Sequence, residues 1–174
     1  FYSSVEVYED LTKSRNDRYE YIYPNYGLSK VFNIGKNKNL PLEFTSEGFQ
    51  KKYDTNIDET IIVNDINFNS KSKVLSSGLV NNVEFLLRNV NTNSKNSSTY
   101  KENTHHEILS TILFKSKYPL VKESKKTKKL LSPIFKARYS PNKTKNISDE
   151  DRVINYDNIF LMDRLNKNDL VEGG

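Results

Sequence analysis

The sequence predicts an all-β fold, an antiparallel meander of about eight long strands. Three observations carry that expectation. Segments rich in Val, Ile, Tyr, Phe and Thr recur along the chain, each about 10 to 14 residues long. Clusters of Asn, Lys, Ser, Gly and Asp separate them and read as hairpin connections. In the best-defined segments apolar and charged residues alternate, as a strand with two unlike faces requires.

The first segment is FYSSVEVYEDL at 1–11, and YEYIYPNYGLSKVF at 19–32 follows it. The turn-like GKNKN separates the second from LPLEFTSEGFQKKY at 40–53. ETIIVNDINFNSK at 59–71 and NNVEFLLRNVNTN at 81–93 are the fourth and fifth, and HEILSTILFKSKYPL at 106–120 is the sixth. After the lysine-rich KESKKTKK come KLLSPIFKARYSP at 129–141 and RVINYDNIFLMDRL at 152–165. Two pieces compete as helices, VEFLLRNV at 83–90 and EILSTILF at 107–114. The first runs into an Asn-rich stretch and the second is rich in β-branched residues, so both are read as strands.

Length and spacing favour one kind of all-β protein over another. These segments exceed the five or six residues usual in soluble strands and match the roughly 9 to 11 that cross a bilayer at a tilt. Their spacing, near 20 residues per element, is about twice that of a small soluble sandwich. Only 35% of the 174 residues are hydrophobic, and mean hydropathy is −0.74. A membrane helix needs about 20 consecutive apolar residues, and the apolar runs here are far shorter. Low hydropathy is compatible with a membrane barrel, whose strands show lipid only every second residue. The expected setting is therefore a transmembrane β-barrel.

The net charge of +5 invites a nucleic-acid reading. The excess comes from lysines between turn residues, and no basic helix stripe or recognition motif accompanies it, so no nucleic-acid partner is expected. Absence of cysteine excludes a disulfide scaffold and a thiolate metal site. THHE at 104–107 places its two histidines on opposite faces of a strand, and there is no further histidine in the chain. SDEDR at 148–152 reads as a solvated acidic turn. With no phosphate loop, nucleophile elbow or paired carboxylates in a dry pocket, the chain is not expected to be an enzyme, and no cofactor or metal is expected.

The candidate functional residues come from the sixth and seventh segments. Ile112, Phe114, Tyr118, Phe135, Ala137 and Tyr139 share one face and are the candidate lipid-facing set. Lys115, Lys117, Lys136 and Arg138 fall on the other, as a candidate basic patch lining the lumen. The competing explanation of the same alternation is a soluble sheet with one solvated face.

The order of short motifs resembles the C-terminal barrel domain of the LptD family, the lipopolysaccharide-assembly or organic solvent tolerance proteins of the Gram-negative outer membrane. The resembling residues are YPLVK at 118–122, LLSPIFKARYSPN at 130–142, the acidic DED at 149–151, DNIFLMDRL at 157–165 and NDLVEGG at 168–174. DRYEYIYPNYGLSK at 17–30 and YDTNIDETIIVNDINFNS at 53–70 extend the likeness into the first half. The resemblance implies that 1–174 is a fragment of a larger barrel, with a periplasmic N-terminal domain and further strands beyond it. It also implies lipopolysaccharide as cargo, an LptE-like lipoprotein inside the barrel, periplasmic bridge components as partners, contact with outer-membrane lipid, and location in the outer membrane. The alternatives are a soluble or surface-exposed all-β module that binds carbohydrate through its tyrosines and, below that, a basic nucleic-acid binder.

Overall fold

The computed structural model describes residues 1–13, 17–35, 40–54, 56–143, 155–164, 171, 173 and 174. Among these the chain is all-β with no helix. Its strands are β1 (Tyr2–Glu9), β2 (Tyr19–Ile34), β3 (Leu40–Tyr53), β4 (Ile57–Asn69), β5 (Lys73–Val74), β6 (Val80–Lys95), β7 (Asn103–Lys117), β8 (Leu120–Ser124), β9 (Thr127–Leu131) and β10 (Ile134–Tyr139). One sheet has the order β1-β2-β3-β4-β6-β7-β10 with β5 on β6, and β8 and β9 form a separate hairpin. This is the antiparallel meander the sequence predicts, and it is not closed into a barrel. The two pieces with helical potential, 83–90 and 107–114, lie inside β6 and β7.

Two parts of the meander differ from expectation. The seventh segment is split: 129–131 closes the β8–β9 hairpin, and β10 keeps only six residues. Pro133 has no amide hydrogen to offer a ladder, and its carbonyl instead accepts from the Tyr118 amide at 3.0 Å. The β8–β9 hairpin itself was hidden in sequence because lysines flank its turn. Its register pairs Ser124 with Thr127 and Lys122 with Lys129, and Glu123 offsets the charge by pairing with Lys128 at 2.6 Å. In the eighth segment residues 155–164 form turns rather than a strand, while 152–154 and 165 lie outside the described residues. Asn155 is the cause: its side-chain oxygen accepts from the amides of Asp157 and Asn158 at 2.9 and 3.0 Å, a local alternative to strand pairing.

The described chain comprises two compact units. One contains Phe1–Phe32, Glu43–Ile66 and Leu87–Leu109, the other Asn33–Leu42, Asn67–Leu86 and Ser110–Gly174. In the first unit Glu59, Ile61, Val63 and Asp65 of β4 and Arg88, Val90 and Ser94 of β6 are buried. In the second, Leu86, Thr111, Leu113, Ser140 and Val171 are buried. Within each strand these residues are spaced by even numbers, so each strand has one buried face.

That face is mixed rather than purely apolar. Arg88 donates through Nε to Asp65 Oδ1 at 2.8 Å and through Nη2 to Asp65 Oδ2 at 2.6 Å, a two-point ion pair. Tyr53 donates its hydroxyl to Glu59 at 3.0 Å, and Ser97 donates to the same carboxylate at 2.5 Å. On the opposite face of the first unit Asn64, Asn89, Asn91 and His106 form a hydrogen-bonded row, closed by His106 Nδ1 and Asn91 Oδ1 at 2.6 Å.

Glycine at 48 in β3 leaves room for the β4 backbone and for a side chain of β2. A Cβ at Gly48 would lie 2.6 Å from the Ile61 carbonyl oxygen and 3.0 Å from the Tyr26 ring. Tyr26 therefore packs across β3, and its hydroxyl reaches Ser46 Oγ at 3.4 Å. Between β1 and β2 a register shift separates Ser4↔Asn25 from Glu6↔Ile22, a bulge in β2 that re-aims the alternation. The turn after β1 is fixed by Asp10, which accepts from the Thr12 hydroxyl and amide, and these bonds hold its carboxyl below the usual range.

Candidate functional site: the two faces of β7 and β10

β7 and β10 pair antiparallel in a single register, and that register sorts the candidate residues. Ala137 lies opposite Phe114, Tyr139 opposite Ile112 and Phe135 opposite Ser116. Directly opposed residues of an antiparallel pair point to the same side. Ile112, Phe114, Phe135, Ala137 and Tyr139 therefore share one face, as the alternation predicted. They are exposed, with Phe135 and Tyr139 at 62% and 64% of full accessibility. The Phe114 and Phe135 rings meet at 6.4 Å between centroids, in a tilted arrangement. Tyr118 follows the end of β7 and stands against Gly78, where a Cβ would lie 3.3 Å from its ring.

The four cations share the other face. Lys136 is directly opposite Lys115, Lys117 is opposite Ile134, and Arg138 is opposite Leu113. Two like charges face to face repel unless each has a partner, and each has one. Lys115 Nζ pairs with Glu84 of β6 at 2.5 Å, and Lys136 Nζ lies 5.3 Å from the centre of the Phe160 ring. Lys117 is exposed.

Arg138 has a different role from the lysines. Its guanidinium donates to the carbonyl oxygens of Leu161, Met162 and Gly174 at 2.9, 3.0 and 2.9 Å. Just past β10, Ser140 and Gly174 exchange two backbone hydrogen bonds at 3.1 Å, and Asn142 reaches the Val171 carbonyl at 3.3 Å. Residues near 160, Val171 and Gly174 are thus held against β10 and the residues just past it. The planar fork of arginine suits this work, since one side chain can satisfy several backbone acceptors at once.

Other residues singled out from sequence are placed apart. His105 Nε2 contacts the Glu102 carbonyl at 3.2 Å, while His106 joins the asparagine row. Among the described residues no group of three His, Cys, Asp or Glu could hold a metal ion. The acidic turn at 148–152 lies outside the described residues. Sequence reasoning missed the Asp65–Arg88 and Glu84–Lys115 pairs. The alternation of β6 could have found them, because Glu84, Leu86 and Arg88 fall on one face of a strand that reads as NNVEFLLRNV.

No protein-family model, no curated protein and no solved structure matches this chain.

Proposed function

We propose that the chain is part of the wall of an outer-membrane β-barrel that delivers lipopolysaccharide to the outer leaflet of the Gram-negative outer membrane. The observation that carries this reading is the pair of unlike faces on β7 and β10. One presents exposed Ile112, Phe114, Phe135 and Tyr139, and the other presents Lys115, Lys117, Lys136 and Arg138. An apolar face left exposed on adjacent strands needs a cover, and hydrocarbon is the cover a barrel wall receives. Strand length supports the reading, since β2, β3, β4, β6 and β7 have 13 to 16 residues, more than enough to cross a bilayer. So does the open sheet. In hydrocarbon every backbone group needs a partner, so β1 and β10 would be paired by further strands of a larger barrel.

In this reading the protein is a transport and assembly component, not an enzyme. An LptE-like lipoprotein would sit inside the barrel, and periplasmic bridge components would deliver the cargo. Lipopolysaccharide carries phosphates near its acyl chains, and the lysine row would meet that anionic part while the aromatic face holds the wall in lipid. The test replaces Lys115, Lys117 and Lys136 together with glutamine in the full-length protein, leaving Arg138 to hold the terminal residues. Lipopolysaccharide arrival at the cell surface should fall at normal barrel abundance. Unchanged arrival would reduce these lysines to solvating the lumen. Recovery of the wild-type protein in the soluble fraction, without detergent, would overturn the barrel itself.

A further inference from the structure

A second site lies in the first unit, where the start of β2 meets the β3–β4 turn and the end of β6. A cleft of about 450 Å³ there is lined by Tyr19, Tyr21, Tyr53, Lys52, Asp58 and Lys95, among others. Its size falls in the range of small-molecule sites. Tyr19 and Tyr21 present their rings side by side, 6.3 Å between centroids and each 43% exposed. The Tyr53 hydroxyl is committed to Glu59, and Lys51 lies 4.5 Å from the centre of the Tyr53 ring, so Tyr53 is held in place on this wall. Asp58 is held by Gln50 at 3.3 Å and by Lys52 at 3.4 Å. Lys95, at the end of β6, is exposed.

We propose that this cleft binds a pyranose bearing an anionic group. Tyrosine rings offer an apolar plane to the C–H face of a sugar ring while their hydroxyls stay in water. Asp58 supplies a fixed acceptor for sugar hydroxyls, and Lys95 supplies the charge for a phosphate or carboxylate. A merely interfacial cluster of tyrosines would need neither the oriented carboxylate nor the cation. The cleft shares no residue with the faces of β7 and β10, so its binding test can fail without touching the transport reading, and the reverse.

The test titrates glucose 1-phosphate, glucose and inorganic phosphate into the folded chain, followed by calorimetry in an amine-oxide detergent that itself carries no sugar. Glucose 1-phosphate should bind saturably, glucose more weakly and phosphate weakest. Tyr21→Ala should weaken glucose 1-phosphate about tenfold, the scale of one aromatic contact. Lys95→Gln should weaken glucose 1-phosphate and leave glucose unchanged. Tyr156→Ala, at a residue 92% exposed and outside the cleft, should change nothing. Circular dichroism establishes that each variant is folded. Displacement by a delipidated, phosphorylated oligosaccharide would assign a free glycan as the source of the ligand. Displacement by the intact glycolipid alone would assign a membrane-linked one. No saturable binding, equal binding of phosphate and glucose 1-phosphate, or indifference to Tyr21→Ala would overturn the proposal.

Discussion

Replacing Asp65 with asparagine should destabilise the fold by about 3–5 kcal/mol, the cost of breaking a buried ion pair from one side. The magnitude follows from the geometry. Arg88 and Asp65 meet through two hydrogen bonds at 2.8 and 2.6 Å, and their side chains are only 9% and 12% exposed. Asparagine keeps the shape but removes the charge and one acceptor, so the buried guanidinium loses its counter-charge at residue 65 and one of its two bonds there. The Lys128–Glu123 pair is the built-in contrast: equally short at 2.6 Å, it is 69% and 65% exposed. Lys128→Ala should therefore cost less than about 1 kcal/mol. Replacing Asp65 and Arg88 together with Leu and Met should recover most of the loss, because no charge is then stranded. The assay is urea unfolding of the full-length protein refolded in lipid vesicles, followed by far-ultraviolet circular dichroism. A cost below about 1 kcal/mol for Asp65→Asn would refute the reasoning, since it would mean that water reaches this face as freely as it reaches Lys128.

Other consequences are as direct. Gly48→Ala should cost about 1–3 kcal/mol, because its Cβ would meet the Ile61 carbonyl oxygen at 2.6 Å, and urea midpoints would show it. Phe114→Arg should cost about 2–4 kcal/mol in vesicles if its face lies in lipid near the midplane, and a solvated face would tolerate it within about 0.5 kcal/mol. Arg138→Gln should release the residues near 160, so that limited proteolysis cuts at 155–164 faster than in the wild type while β7 and β10 stay protected. Arg138→Lys should not restore protection, since an ammonium cannot span three carbonyl groups as a guanidinium does.

The sequence revealed the parts of this protein that depend on local period. Alternation in HEILSTILFKSK and PIFKARY was enough to sort ten candidate residues, and the register of β10 on β7 places those within the two strands on the faces expected. Strand type in VEFLLRNV and EILSTILF was also legible, because β-branched residues and flanking asparagines argue against helix. What stayed hidden depends on contacts distant in sequence. Nothing near Arg138 announces that its partners are carbonyls at 161, 162 and 174. The lysines of KESKKTKK conceal the β8–β9 hairpin, whose strands are exposed on both faces and so carry no apolar alternation. Asn155 ends the prospect of a strand through a side-chain bond that competes with the backbone, and composition alone does not distinguish that from a polar loop.

The central claim, that the aromatic face of β7 and β10 touches lipid, is open to one direct measurement because the chain has no tryptophan. A single tryptophan at Phe114, and in a second variant at Lys117, gives an optical probe on each face of β7. In vesicles containing lipids brominated along the acyl chain, emission of Phe114→Trp should be blue-shifted and strongly quenched, and that of Lys117→Trp should be red-shifted and little affected. Equal quenching at the two positions, or stronger quenching at 117, in the vesicle-bound protein would contradict the account.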